Sequence, residues 1–343
     1  MRFAMVLFLM VVAGCGGGAF PGTPSLIVVA NRGDGTISII DSDSLTVVET
    51  IPLPPGGSTP RPGYVTYSAS RDRLYVGDEA NQRVVVLSGS DYAHLNDLPA
   101  LGDVFHIWQD DVQLWAVDRT NRGVAVFDLD SDTLITFIPI PADLAAAGGV
   151  PHDVVVQGGQ AFVSILGVAA APDAVVRYST ATLAETGRMA VGEDPHLFLH
   201  PTTSRIYVAC QDSDAVYVFD SDTLAAGPVI TVDGGHGVWI PPHGQTLYVT
   251  NFAGHEVGPP VPLGAFALFS ISLATNRVFD ATHAPRAAPH NIASNAQGTR
   301  LFVTHSDGGT SVTVYTARTP RDPPRAFVSV TVGVNPFGIC RMR

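Results

Sequence analysis

Residues 247–251 read LYVTN, and relatives of the phrase recur along the chain: LYVGD at 74–78, IYVAC at 206–210 and LFVTH at 301–305. Looser copies are LWAVD at 114–118, AFVSI at 161–165 and IVVAN at 27–31. Self-similarity at intervals of roughly 40–50 residues marks a stacked or radial array of small units. Alternating strands such as TISIID, VAVFD and AVYVFD follow these copies. Several then run into an Asp/Ser/Thr turn such as DSDTL at 220–224, whose side chains bond their own backbone in a tight connection. A fourth strand, for example VVETIPL or FVSVTVG, leads to a Pro-containing corner and the next unit. Four strands per unit and seven units predict an all-β, seven-bladed β-propeller.

The ends fit the same scheme. The repeat begins with three strands at 26–53, and NPFGICRM at 335–342 supplies the missing inner strand. Pairing the C-terminal strand with the first three closes the ring and removes two exposed sheet edges. The YVTN phrase, its apolar inner strand and the DSDTL turn resemble the YVTN family of bacterial β-propeller repeats over nearly all of residues 26–342. That resemblance implies the fold; propellers of this kind include binding proteins, lyases, lactonases and metalloenzymes, so function has to be argued from a site.

Bulk composition agrees. The 343 residues are 46% hydrophobic and 15% charged, with 34 Gly and 26 Pro between short Val, Ile, Tyr and Phe runs, as expected for many strands and tight turns. A formal charge of −12 repels nucleic acid and anionic membrane surfaces, so no nucleic-acid partner is expected.

Residues 1–15, MRFAMVLFLMVVAGC, place one Arg before an apolar stretch too short to span a bilayer, then small residues before a Cys. This reads as an export signal, and VAGC at 12–15 resembles the lipobox of bacterial lipoproteins. The resemblance implies lipidation of Cys15, a lipid anchor to the membrane and, with Gly16 following, an outer-membrane location facing the periplasm. Residues 16–25 would be a flexible tether, and 26–343 a single propeller domain, expected to be monomeric. Cys210 and Cys340 permit one disulfide without demanding it.

The residues that open the inner strands are Gly63, His106, His152, His196, His236, His290 and Phe337, five histidines in seven positions from a chain with 11 in all. Inner strands line the channel of a propeller, so equivalent residues form a ring at one mouth. The ends of the second strands, Asn31, Asp78, Asp118, Ile165, Cys210, Asn251 and His305, reach the same face. So do the long connections 53–62, 141–151, 252–264 and 281–289, and loops on a rigid scaffold are where function concentrates. By contrast His94, His200 and His243 are expected to be surface residues without a role.

Several neutral imidazoles converging without a matching set of carboxylates suit copper, zinc or iron better than calcium or magnesium. The expected ligands are His106, His152, His196, His236 and His290, with His305 a further candidate and copper the favoured metal. Cys210 is a weaker soft-ligand candidate, Asp78 and Asp118 are expected to cap the DEANQ and DRTNR turns, and His255 with Glu256 could form a lid. The arrangement resembles the propeller of nitrous oxide reductase, which implies copper on channel-facing histidines. Two blades lack the His, however, and the 343 residues contain no Cys-rich electron-entry motif. Copper-dependent methanethiol oxidases resemble the chain only in placing histidines within a propeller. A PH pair entering a strand also has a plain reading as turn chemistry, but His106 and His236 follow Phe105 and Gly235 instead.

Three functions follow. The first is a copper-dependent oxidoreductase. The second is a non-enzymatic envelope scaffold offering its loop-rich face to a protein, glycan or small molecule. The third is a lyase or lactonase using one His as general acid/base.

Overall fold

The computed structural model describes residues 25–169, 172–252 and 266–342. Residues 1–15 with Cys15, most of the proposed tether, and the loop with His255 and Glu256 lie outside them. The described strands form seven four-stranded antiparallel sheets. Blades two to seven occupy residues 62–99, 107–139, 150–190, 195–231, 235–283 and 289–331. The first blade joins Leu26–Asn31, Thr36–Asp41 and Thr46–Pro52 to the C-terminal strand Pro336–Met342. That strand pairs antiparallel with Leu26–Asn31, Val28 opposite Cys340, so the ring closes as the sequence predicts.

The turns form as their side chains dictate. In three Asx turns, Oδ1 of Asp41, Asp128 and Asp220 accepts two backbone N–H groups each, from Asp43 and Ser44, Asp130 and Ser131, and Asp222 and Thr223. The core lies between blades. Leu247, Val249 and Phe269 of the sixth blade pack on Tyr207, Ala209 and Val216 of the fifth. The seam between seventh and first is built alike, from Phe302, Val312 and Val314 against Ile27, Val29 and Ile339.

One irregularity positions the site. In the second, fourth, sixth and seventh blades the ladder between inner and second strand slips just after the mouth, as between Pro151 and Val154. A bulge of this kind re-aims a side chain and leaves a backbone group unpaired. Hydroxyls on the second strand repair the loss: Asp153 N–H donates to Ser164 Oγ, Gly237 to Thr250 Oγ1 and Asn291 to Thr304 Oγ1. Thr250 and Thr304 then donate to the carbonyls of His290 and Phe337 in the next blade, 2.7 Å each. The T of YVTN is thus a tie between neighbouring blades.

Candidate metal centre at the channel mouth

Side chains from all seven blades form a closed ring of rings. Successive centroid separations are 3.4 Å for Tyr64–His106, 5.9 Å for His106–His152, 4.7 Å for His152–His196 and 3.7 Å for His196–His236. His236–His290 at 4.5 Å, His290–Phe337 at 4.1 Å and Tyr64–Phe337 at 5.4 Å complete the circle. In the second blade Gly63 has no side chain to offer, and Tyr64, the next residue, contributes the ring.

Nitrogen chemistry separates the five histidines. His106 Nδ1 lies 2.7 Å from a carboxylate oxygen of Asp153, and His236 Nδ1 lies 2.8 Å from Gln211 Oε1. Both partners accept, so both Nδ1 atoms carry the proton and leave the Nε2 lone pair free. Nε2 of His106, His152, His196 and His236 is buried without a hydrogen-bond partner among the described residues. Buried polar atoms are rarely left so, and four in one layer call for an explanation. His290 differs: its Nδ1 accepts from Asn291 Nδ2 at 2.7 Å, which puts the proton on Nε2. Asn291 also donates to the Phe337 carbonyl, fixing the amide orientation.

The ligand atoms of His106, His152 and His196 lie within 4.8 Å of one another, and so do those of Asp194, His196 and His236. Donors about 2.0–2.1 Å from one ion sit roughly 3.3 Å apart around a tetrahedron. Coordination by either set would require the rings to close from this spacing onto one ion, with His196 common to both. Asp194 Oδ1 is 3.6 Å from His196 Nε2, too long for a hydrogen bond.

The other sequence candidates fall elsewhere. His305 is held at both nitrogens, Nδ1 by the Ala287 carbonyl and Nε2 by Thr313 Oγ1, so its lone pair is not directed to the ring. The Cys210 thiol is fully buried, pushed up to about 12 by burial, and contacts the Val208 carbonyl. Asp118 caps its turn, accepting from Asn121 N and Nδ2, whereas Asp78 makes no capping bond to a backbone N–H of the DEANQ turn and accepts instead from Arg61 N, Asn81 Nδ2 and Arg83 Nε. His200, expected at the surface, is buried, its Nδ1 accepting from Thr202 N. Asp153, Gln211, Asn291 and Tyr64 escaped the sequence reading. So did the arginines stacked at the mouth, Arg119 over Phe105 at 3.7 Å and Arg32 over Phe337 at 4.5 Å.

Burial lowers the pKa of His106, with Asp153 pulling the other way, and lowers those of His152, His236 and His290 well below the usual value, with neighbouring imidazoles adding to the shift. Burial would raise Asp153, but His106 and its hydrogen bond outweigh it and hold the carboxyl low. These four imidazoles are therefore neutral, the form that binds metals. The sign of the pH dependence follows. Below the unfolded value of about 6.5 the unfolded chain takes up protons that the folded ring refuses. Metal-free protein should thus lose stability steadily from about pH 6.5 downward. Urea unfolding between pH 7.5 and 5 checks this, and a flat profile would mean rings open to water.

No family model matches the chain, and no curated protein matches it in sequence. Solved structures do match in shape. A hydrazine synthase from Kuenenia stuttgartiensis aligns with TM-score 0.70 at 14% identity over 83% of this chain and 91% of its own. A putative 6-phosphogluconolactonase from Bacteroides fragilis aligns with TM-score 0.73 at 14% identity, covering 94% and 99%. The dihydro-heme d1 dehydrogenase NirN, in complex with DHE, gives 0.63 at 12%, covering 93% and 77%. These neighbours are β-propeller proteins. At such identities the likeness carries the fold alone, and the YVTN resemblance rests on the repeat phrase itself.

Proposed function

We propose that this propeller is a transition-metal protein whose ion is held either by His106, His152 and His196 or by Asp194, His196 and His236, the two sets that share His196. The observation that carries the reading is the set of four buried, unpartnered Nε2 atoms from four blades. Imidazole nitrogen suits copper, zinc, iron and nickel, and among divalent first-row ions copper binds such a site most tightly. Copper held there would supply one-electron chemistry, which makes an oxidoreductase the activity this site would serve. Asp153 and Gln211 set the tautomers of His106 and His236, and the ring members Tyr64 and Phe337, with Phe105 packed on both, limit water. A pure docking scaffold gives no reason for four orphaned nitrogens, and a lactonase needs one general base rather than four convergent donors. Export and lipid anchoring through Cys15 belong to the same proposal and rest on residues 1–15 alone.

Metal analysis of protein purified without a polyhistidine tag tests the site. Parent protein should bind stoichiometric copper, and a His152→Ala, His196→Ala double variant should bind it more weakly by over roughly 100-fold, since loss of an outer partner alone costs 10–100-fold. Equal copper uptake by both proteins would refute the assignment.

A further inference from the structure

Beneath the imidazole layer the channel widens into a cavity of about 280 Å³. His106, His196 and His236 line its inner end, and Trp108, Phe198 and Trp239 form part of its wall. The three aromatic rings pack at 6.3 and 5.3 Å, and Trp239 Nε1 donates to Ser294 Oγ, so the wall is rigid. Arg341 lines the same cavity from the ring-closing strand, its backbone paired opposite Ile27. The other charged lining residue, Asp153, is committed to His106 and to the N–H groups of Val154 and Leu197. Arg341 is half-buried and has no ion pair or hydrogen bond among the described residues. An unpaired, half-buried guanidinium lining a cavity with aromatic side chains is a ready partner for an anion.

We propose that the channel binds a small organic monocarboxylate, its carboxylate on Arg341 and its apolar body against Trp108, Phe198 and Trp239. One fork-shaped cation matches one carboxylate bidentately. Aromatic walls with a single charged anchor are the usual make-up of a small-ligand pocket. Inorganic oxyanions would leave the aromatic wall without a partner. The proposal needs no metal, so it stands or falls separately from the copper reading.

Benzoate is the probe, titrated at constant ionic strength into the full chain and into a His152→Ala variant, whose altered residue does not line the cavity. Two of the protein's three tryptophans line the cavity while Trp115 is buried between blades, so emission reports occupancy. A saturable change is expected in both proteins. Arg341→Met should weaken binding by roughly tenfold or more, as should replacing benzoate with benzamide. Arg341→Lys, which keeps the charge without the fork, should fall between, and thermal melts confirm that each variant is folded. The proposal is overturned by a non-saturable response, by a folded Arg341→Met protein that titrates like the parent, by benzamide binding as well as benzoate, or by inorganic phosphate displacing benzoate at equal concentration.

Discussion

Removing residues 334–343 is expected to abolish the cooperative thermal unfolding of the protein. The deleted strand carries Phe337, Ile339 and Met342, all buried, and they serve three different interfaces. Ile339 packs in the seam between seventh and first blades, Met342 between first and second, and Phe337 between second and third. Fully burying each such side chain is worth about 1.5–3 kcal/mol. Three of them approach the ~5–15 kcal/mol by which a whole domain is stable. The loss goes further, because Leu26–Asn31 becomes an open edge and the Thr304 tie to the Phe337 carbonyl disappears. Calorimetry and circular dichroism of the truncated chain should show strand content without a sharp transition. A cooperative melt at the parent temperature would mean that the ring closes in some other way.

The same closure shows what a sequence reveals well. Blade number and ring closure follow from period, alternation and turn chemistry, all local, and all three recur often enough to correct one another. The register of five histidines was legible for the same reason. What stayed hidden is chemistry made between blades. Asp153 follows His152 directly, yet its carboxylate serves His106 of the preceding blade and Leu197 of the following one. Adjacent strand residues point to opposite sides, and a bulge at Pro151/Val154 changes the register just there, so no spacing rule discloses the partner. Tyr64 fills the sector that Gly63, lacking a side chain, leaves open. His305 shows the converse: it stands in the right register for the mouth, but Thr313 Oγ1 and the Ala287 carbonyl claim both nitrogens. His290 keeps its place in the ring while Asn291, its own neighbour, takes its Nδ1 lone pair.

Asp153→Ala is expected to cost on the order of 3–5 kcal/mol and to weaken metal binding roughly 10–100-fold. The carboxylate accepts His106 Nδ1 at 2.7 Å, Val154 N at 2.6 Å and Leu197 N at 2.8 Å. Truncation leaves three donors in a buried pocket, each losing about 1–3 kcal/mol if unsatisfied, with water entry recovering part. The thermal midpoint of metal-free protein should fall by roughly 4–8 °C. A stability change alone would not distinguish a positioning role from a merely structural one. Asp153→Asn makes that distinction. The amide is the same size and keeps one oxygen, so part of the stability should return. Its NH₂ group must nevertheless face either His106 Nδ1 or the Leu197 N–H. Facing Leu197 sets donor against donor and holds the His106 tautomer. Facing His106 turns Nδ1 into an acceptor and puts the proton on Nε2, the atom assigned to the metal, but sets the NH₂ against the Val154 N–H, which shares that oxygen. One backbone donor is opposed in either arrangement, and in both the neutral amide no longer raises the basicity of His106 as the carboxylate does, so Asp153→Asn should recover part of the midpoint while copper affinity stays depressed. Copper binding restored in step with the thermal midpoint would show that Asp153 only braces three blades and does not set the ligand.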